Sequence, residues 1–417
     1  MRKTVLLRLG ACAAAGSLAL SACGSRSAST TSTGASAVTV TIAFDAPLST
    51  SASSVGIGME NSAQLAVDLA NKNGEVPGVT FKLEAKDDQS TPAIGAQNAT
   101  AFTSDASVVG VVGPYNSSVA QSMQPIFQSA GLVEVSPANT NPTLTMGTDW
   151  QTAPKRQYPV YFRTITTDAT QGPYAADYAV KKLGIKKVFY IDDGLTYGAG
   201  LAATFVEEFT KDGGAVLGHQ QVTDGQTDFS AVVAAVKASG ANAVYYGGQY
   251  AEAGPLKKQL VAAGFTGDMI AGDAVKDPTF VQLAGPAASN ATTYVTSDGV
   301  PPGGTAAGQA YVSAYNSELS AGKFGNSQAY GTFGPFAYSA AWAIIEAVKA
   351  AKAANGGTLP SGTALRAAVV KAMAGVDFQG PTGEVAFNQY GDDVDQAVTM
   401  NEVENGAFTA IYTGKIS

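Results

Sequence analysis

Apolar residues follow two alternating periodicities along most of the chain. Runs such as 38–44, 108–112 and 187–192 are β-branched or alternating and predict strands. The segments between them, such as 56–73, carry apolar residues at helical spacing. Strands that alternate with helices are typical of parallel sheets covered on both faces. Because the pattern runs once before Arg163 and again after it, the sequence predicts an α/β fold with two doubly wound parallel-sheet lobes.

Four loops are expected at the carboxyl ends of predicted strands. Ligands of doubly wound folds bind at this edge of the sheet, so each loop is a candidate for ligand contact. The loops are 113–118 (GPYNSS), 136–140 (SPANT), 192–197 (DDGLTY) and 247–250 (GGQY). Their hydroxyl, amide and tyrosine side chains favour binding of a small polar molecule.

The composition indicates a folded chain that does not bind nucleic acid. Of the 417 residues, 45% are hydrophobic and only 14% are charged, and the formal net charge is −8. Nucleic-acid binding requires clustered lysines and arginines, and no run of them in this chain is longer than two. The length is sufficient for two lobes of ordinary size.

The first residues have the pattern of a cleaved signal peptide rather than of a folded element. Residues 1–22 combine an early basic pair with a short apolar run and small residues. The end of this segment, LSAC, resembles a bacterial lipobox, which implies cleavage before Cys23 and lipid anchoring through it; plain secretion is the alternative. Residues 23–37 are rich in Ser, Thr, Gly and Ala and predict a flexible tether. The two cysteines are Cys12 and Cys23, so no disulfide is expected in the mature domain.

The residue types needed for catalysis are scarce. His219 is the one histidine and alternates with apolar neighbours in a predicted strand, so we expect a surface or edge residue. Gly198 to Ala203 fits the GxGxxA dinucleotide pattern but does not follow its strand directly, which favours a helix start with close packing. The carboxylate pairs at 87–88 and 192–193 are interpreted as solvated loop residues. We therefore expect no catalytic residue, no metal and no cofactor.

Several longer motifs resemble one known family. GPYNSSVAQSMQP, SPANTNP, VYYGGQYAE and AGDAVKDPTFVQLAG are similar, in this order and spacing, to the periplasmic leucine/isoleucine/valine-binding proteins of ABC transporters. The resemblance covers nearly the whole mature chain and implies the periplasmic binding protein type I fold, with two lobes that hinge over a ligand. It implies three hinge crossings, near Arg163, Thr296 and Phe378. The implied N-terminal lobe is 38–163 with 297–378, and the implied C-terminal lobe is 164–296 with 379–417.

The resemblance also implies which residues hold an amino acid's carboxylate. Ser117 matches a serine that binds this group, and Ala138 and Thr140 match a backbone amide and a hydroxyl that assist it. The same role follows from elementary physics for Ser117, because a helix N-terminus offers free N–H groups and a partial positive charge.

The opposite lobe is implied to hold the ammonium group. Asp273 matches the family's acid, although a glutamate is more familiar there. Gln249 stands where the family has a tyrosine, with Tyr250 next to it, and Tyr197 matches a ring that closes over the ligand. A carboxylate that faces a bound cation makes a strong charge-assisted bond.

The implied side-chain pocket departs further from the family. Tyr115 and Asn116 stand where a leucine and a cysteine are familiar, and Val55 replaces an aromatic residue, whereas Phe333 keeps one. These changes add polarity and space, so the pocket is not expected to be tuned for leucine alone.

The predicted function is an extracytoplasmic, lipid-anchored solute-binding protein. It is expected to act as a monomer that captures an amino acid, or a related small carboxylate or amide, and delivers it to the permease of an ABC importer. Two alternatives stay open: a ligand sensor that signals to a membrane partner, and a dinucleotide-dependent enzyme on the same α/β scaffold.

Overall fold

The computed structural model describes residues 37–290, 292–324 and 329–415. The predicted signal peptide, Cys23 and all of the tether except its last residue lie outside the described residues. Within the described part of the chain, none of the helices combines the length and the apolar character needed to cross a bilayer.

Strands and helices alternate through most of the chain. The strands are β1 (Val38–Ala46), β2 (Val79–Asp87), β3 (Val108–Val112), β4 (Val133–Ser136), β5 (Tyr161–Arg163), β6 (Lys187–Asp192), β7 (Ala215–Gln221), β8 (Ala243–Gly247), β9 (Asp268–Ala271), β10 (Thr293–Asp298), β11 (Asp377–Gly380), β12 (Gly383–Ala386), β13 (Val398–Glu404) and β14 (Ala407–Gly414). The helices are α1 (Ser53–Asn73), α2 (Pro92–Ser104), α3 (Ser117–Ala130), α4 (Thr143–Met146), α5 (Asp168–Lys181), α6 (Thr196–Lys211), α7 (Ser230–Ser239), α8 (Tyr250–Ala262), α9 (Pro278–Ala284), α10 (Pro286–Ser289), α11 (Ala306–Ser320), α12 (Gly334–Ala354) and α13 (Gly362–Met373). Two short 3-10 helices span Asp273–Val275 and Pro302–Gly304.

The first sheet has five strands in the order β2-β1-β3-β4-β5, and all neighbours are parallel. Its central strand β3 is VVGVV and is buried along its whole length. A Cβ on Gly110 would lie 2.8 Å from Val133 and 2.9 Å from Ile344, so glycine at this position lets α12 pack closely on the strand. This explains the glycine in an otherwise β-branched run.

The second sheet has seven strands in the order β14-β13-β10-β9-β8-β6-β7. The strands from β7 to β10 are parallel, whereas β13 and β14 are antiparallel. The last two strands form a hairpin whose turn residues Asn405 and Gly406 have φ values of 51° and 77°. Asn-Gly is the pair that a tight hairpin turn favours, because both turn residues need positive φ. The hairpin is thus an antiparallel edge on an otherwise parallel sheet.

The chain passes between the two sheets three times. It leaves the five-stranded sheet after β5, returns after β10 to contribute α11 to α13, and enters the seven-stranded sheet again at β13. The doubly wound α/β prediction is thus confirmed for both sheets. The exact lobe boundaries at 163, 296 and 378 stay predictions.

Candidate functional site

A cavity lies between the carboxyl edges of the two sheets. Loops of the five-stranded sheet and the residue before α12 form one side, which we call the hydroxyl wall: Tyr115, Asn116, Ser117, Ser118, Ala138 and Phe333. Loops and helix starts of the seven-stranded sheet form the other side, which we call the acid wall: Asp193, Leu195, Tyr197, Gln249, Asp273 and Ala274.

The loop after β3 presents the first part of the hydroxyl wall. Gly113 has a φ of 123°, and a Cβ there would lie 2.1 Å from the Asp45 carbonyl oxygen, so the sharp exit from the strand requires glycine. The Tyr115 ring packs edge-on against Phe333, with 5.4 Å between ring centroids. Ser117 begins α3 and is buried, which places its hydroxyl beside the free N–H groups of the helix start.

Asn116 is the N-cap residue of α3 but does not cap it. Asparagine is among the best capping residues, and the loss of a side-chain cap costs about 1 kcal/mol. Here the side chain makes no capping hydrogen bond, and its Oδ1 is buried without a hydrogen-bond partner. The side chain lines the cavity instead.

The loop after β4 is organised by the Ser136 hydroxyl. Its Oγ accepts from the backbone N–H groups of Ala138 at 3.3 Å and Asn139 at 2.9 Å, and donates to the Pro114 carbonyl oxygen at 3.2 Å. The Asn139 amide donates to the Tyr115 carbonyl oxygen at 2.7 Å. These bonds join the two loops of the hydroxyl wall into one rigid unit.

Arg163 fixes the same loop from behind. The guanidinium is fully buried and donates to the carbonyl oxygens of Asn139 at 2.7 Å and Asn141 at 3.0 Å. It also donates to Thr145 Oγ1 at 2.5 Å and to the Asp392 carboxylate at 2.7 Å. By binding the carbonyl groups, Arg163 sets the orientation of the peptide units at the end of β4. From the sequence, Arg163 was predicted only as a hinge crossing. Its role in holding the loop after β4 was not predicted, because its carboxylate partner Asp392 is 229 residues away.

Asp273 is the central group of the acid wall. Its Oδ1 accepts from the Tyr197 hydroxyl at 2.6 Å and from the backbone N–H of Ala274 at 3.0 Å. Burial raises the pKa of Asp273, and burial together with the Asp273 charge raises the pKa of neighbouring Asp298 well above its ordinary range. Both carboxyl groups are therefore harder to ionise than a solvated aspartate.

The carboxylates at 192–193 are not solvated, and this part of the sequence interpretation is wrong. Asp193 is 8% exposed and Asp192 is 6% exposed. Asp192 accepts from Gly194 N–H at 2.8 Å and lies 2.6 Å from the His219 ring nitrogen. Burial raises the pKa of Asp193 to about 7. Asp88 of the earlier pair is also fully buried, and burial raises its pKa to about 6.

Close packing explains the GxGxxA segment at the start of α6. A Cβ on Gly198 would lie 2.4 Å from the Gly247 carbonyl oxygen, and one on Gly247 would lie 2.2 Å from the Gly198 carbonyl oxygen. The two glycines thus let the end of β8 meet the first turn of α6. This geometry agrees with the packing interpretation and leaves no phosphate-binding turn directly after the strand. His219 lies on β7, an edge strand, as expected.

Hydrogen bonds join the two sides outside the cavity, so the cleft is closed. On one side the Tyr250 hydroxyl donates to the Ser51 carbonyl oxygen at 2.5 Å and lies 3.0 Å from the Ser54 hydroxyl. On the other side the Asn141 amide donates to the Thr196 carbonyl oxygen at 2.7 Å. A Cβ on Gly200 would lie 2.2 Å from that amide nitrogen, so glycine permits this close approach.

Most of the residues implied by the motifs meet at the cavity. Eight of them line it, namely Tyr115, Asn116, Ser117, Ala138, Tyr197, Gln249, Asp273 and Phe333. Three do not: Tyr250 joins the two sides, Val55 is buried within α1, and the buried Thr140 hydroxyl faces the Asp168 carboxyl. The roles of all eleven residues in ligand contact stay predictions.

Four lining residues were not among the individual site residues predicted from the sequence, although three of them lie in the candidate loops 113–118 and 192–197. They are Ser118, Asp193, Leu195 and Ala274. Each directly follows or lies within two residues of a position that was considered, so a signal existed in the loops after β3, β6 and β9. The sequence pattern did not show which side chain of each loop points into the cavity.

Comparison with known proteins gives a consistent picture. The periplasmic binding protein family model matches residues 39–407. Leu/Ile/Val-binding protein homolog 3 of Brucella melitensis is 32% identical over 240 residues, which cover 58% of this chain and 62% of that protein. The chain thus aligns with less than two thirds of the length of this curated relative. Homolog 1 of Brucella abortus is 28% identical over 363 residues, 87% of this chain and 89% of that protein.

Solved structures agree with the fold. The substrate-binding protein LivJ of Streptococcus pneumoniae, solved in complex with isoleucine, superposes with a TM-score of 0.78 and 26% identity, over 91% of this chain and 100% of that one. Family membership rests on the match to residues 39–407, which is most of the chain. The chain therefore belongs to the periplasmic binding protein family, and the relatives and the solved structure that it resembles are Leu/Ile/Val-binding and substrate-binding proteins.

Proposed function

We propose that this protein captures an α-amino acid, of the branched-chain type or a related small carboxylate or amide, and delivers it to an ABC importer. The observation that carries the proposal is the opposite character of the two cavity walls. The hydroxyl wall offers the Ser117 hydroxyl at a helix N-terminus, whereas the acid wall offers the Asp273 carboxylate. A zwitterion bound between them places its carboxylate on the first and its ammonium on the second.

Two relatives support the amino-acid assignment. LivJ of Streptococcus pneumoniae was solved with isoleucine, and a Pseudomonas aeruginosa relative that is 33% identical over 224 residues is an amino acid binding protein. Micromolar affinity corresponds to about 8 kcal/mol. A few buried charge-assisted bonds and apolar contacts can supply this free energy after the cost of closing the cleft.

The proposal includes two lobes that close over the ligand. The lobes are 38–163 with 297–378, and 164–296 with 379–417. The hydrogen bonds of Tyr250 and Asn141 join the two sides across the cleft and hold the closed form. Ligand binding and closure are thereby coupled, as in other hinged binding proteins.

Delivery to an importer requires the protein to stay near the membrane. The LSAC segment supports a lipid anchor on Cys23, with residues 23–37 as the tether. Incorporation of labelled palmitate into the wild-type protein, and its loss in Cys23→Ser, tests this part of the proposal. Equal labelling of the two proteins would contradict it.

A thermal-shift screen against the twenty amino acids and small carboxylates tests ligand capture. A ligand at 100 times its Kd adds about 2.7 kcal/mol to the free energy of unfolding. We expect at least one α-amino acid to produce such a shift.

Uptake of that amino acid by cells that lack this protein then tests delivery. Reduced uptake supports an importer role, and unchanged uptake with an altered transcriptional response supports a sensor.

A further inference from the structure

Three polar side chains of the cavity have no role in holding an amino acid's carboxylate or ammonium group. They are Tyr115, Asn116 and Asp193, all of which line the cavity. Their exposed fractions are 5%, 8% and 8%, so each is removed from bulk water. A polar group in such a place is costly unless a hydrogen-bond partner meets it.

The Tyr115 hydroxyl is the first of these groups. It has no hydrogen-bond partner among the described residues. Burial and the nearby Asp273, Tyr250, Asp277 and Asp193 raise its pKa well above the ordinary value, so the hydroxyl keeps its proton. It therefore offers one donor and one acceptor to a ligand in the cavity.

The Asn116 amide oxygen is the second. It has no partner among the described residues and makes no bond to the helix that it precedes. An amide oxygen only accepts hydrogen bonds. A ligand that satisfies it must therefore carry an N–H or O–H group.

Asp193 adds a third acceptor on the opposite wall. Its Oδ1 accepts from Leu195 N–H at 2.9 Å, and the neighbouring Asp192 and Glu252 are both acidic. No lysine, arginine or histidine among the described residues lines the cavity. The lining thus contains two carboxyl groups, Asp193 and the Asp273 that faces the α-ammonium group, and no basic side chain among the described residues.

A branched aliphatic side chain does not match this lining. It would leave the Tyr115 hydroxyl and the Asn116 amide oxygen buried and unpaired, which is how a polar site rejects an apolar ligand. A primary amide matches both groups, because its NH₂ donates to Asn116 while its carbonyl oxygen accepts from Tyr115. An amine donates to Asn116 and to Asp193.

We propose that the cavity selects amino acids whose side chain ends in a hydrogen-bond-donating nitrogen, an amide or an amine, over leucine, isoleucine and valine. The proposal rests on the proposed function and narrows its substrate class. Glutamine and ornithine represent the two kinds of donor. Glutamate has nearly the shape of glutamine but presents only acceptors, so the acidic lining excludes it.

Isothermal titration of the purified protein with glutamine, ornithine, leucine and glutamate tests the proposal. We expect glutamine or ornithine to have a Kd at least tenfold lower than that of leucine, and glutamate to show no binding. Binding of leucine as tight as that of both nitrogen-bearing ligands would overturn the selectivity and leave the proposed function intact. Absence of binding by all α-amino acids in the screen would overturn both.

Variants assign the selectivity to the named residues. Asn116→Leu should weaken glutamine or ornithine binding at least tenfold and strengthen leucine binding, while Asn355→Leu, at the exposed end of α12, should change neither.

Tyr115→Phe should weaken glutamine binding more than ornithine binding, with Tyr412→Phe, which is 48% exposed, as its control. Equal effects on leucine and on the nitrogen-bearing ligands would overturn the assignment; the wild-type titrations stand even if a variant fails to fold.

Discussion

The two walls of the cavity differ in charge and in the way the chain builds them. The hydroxyl wall has no carboxylate or cationic side chain and is made rigid by hydrogen bonds between neighbouring loops, through Ser136 and Arg163. The acid wall carries Asp193 and Asp273, and burial raises the pKa of both carboxyl groups. In the proposed function, one wall recognises the ligand through fixed dipoles and the other through charge.

Because of this difference, we expect the hydroxyl wall to be sensitive to mutations in its scaffold and the acid wall to be sensitive to pH. A wall of fixed dipoles depends on its scaffold, because N–H groups bind only while the loops hold their orientation. A wall of buried carboxylates depends on protonation, because a shift in pKa changes its charge. Mutations in the scaffold should therefore affect stability and binding together, whereas changes on the acid wall should affect binding and its pH dependence.

The largest effect is expected from Arg163→Met. This change leaves the Asp392 carboxylate buried without its partner, and breaking a buried ion pair in this way costs about 3–5 kcal/mol. Urea unfolding should show this loss, and titration with the tightest-binding amino acid should show weaker affinity.

Arg366→Met is the matched control for that change. Arg366 is also buried, but it donates to the carbonyl oxygens of Val108, Thr103 and Asp105, away from the cavity. It should reduce stability by a smaller amount and leave the ligand Kd unchanged. A stability loss below about 1 kcal/mol for Arg163→Met would contradict the role given to the scaffold.

The next effect compares the two walls directly. Asp273→Asn removes the charge that faces the ligand's ammonium and should weaken binding by about 2–3 kcal/mol, because hydrogen bonds to charged groups are worth this much. Ser117→Ala should cost only about 1 kcal/mol, since the helix N–H groups remain. Titration of both variants measures the ratio, and Asp177→Asn on the outer face of α5 should bind as the wild type does. A larger loss for Ser117→Ala would reverse the comparison.

The walls also differ in how far the sequence predicts them. Ser117 follows from local pattern, because a buried strand that ends in hydroxyls at a helix start is visible within a few residues, whereas Ala138 was implied by the family resemblance. The pairing of Asp273 with Asp298 and that of Arg163 with Asp392 connect distant parts of the chain. Hydrophobic periodicity contains no information on such partners.

The same limit explains the errors on Asp192 and Asp193. Adjacent carboxylates in a loop are usually solvated, and only the packing of α6 and β8 around this loop buries them. The fold was predictable to within a few residues for most elements, since strand and helix periodicities are local. Strand β5 has only three residues, which is too short for periodicity to show.

A third effect should appear in the pH dependence of stability. Burial raises the pKa of Asp193 from 3.8 to about 7 in the folded protein. The folded state therefore binds more protons than the unfolded state between about pH 4 and 7, so this group's contribution to stability is present below pH 4 and is lost as the pH rises to 7. Asp193→Asn removes the titrating carboxyl group and therefore removes this loss of stability.

Thermal unfolding of the ligand-free protein at pH 4.5 and pH 8 measures this effect. The variant and the wild type should differ little at pH 4.5, whereas the variant should be more stable at pH 8. The adjacent acids Asp192 and Glu252 remain in both proteins, and their repulsion of the Asp193 carboxylate is part of the stability loss that the variant removes. A variant that is less stable than the wild type at pH 8 would show that the Asp193 carboxylate has a stabilising partner in the fold.

The smallest effect is expected from Tyr250, which joins the two walls but does not line the cavity. Tyr250→Phe removes the hydrogen bonds to Ser51 and Ser54 that join the two sides, but no lining group. Because these bonds exist only in the closed form, their loss should speed ligand dissociation about threefold, equivalent to about 0.6 kcal/mol, and leave the stability of the open protein unchanged. Stopped-flow displacement measures the rate, with Tyr412→Phe as the control. An unchanged rate would mean that the contacts of the two walls with the ligand are sufficient to hold the cleft closed.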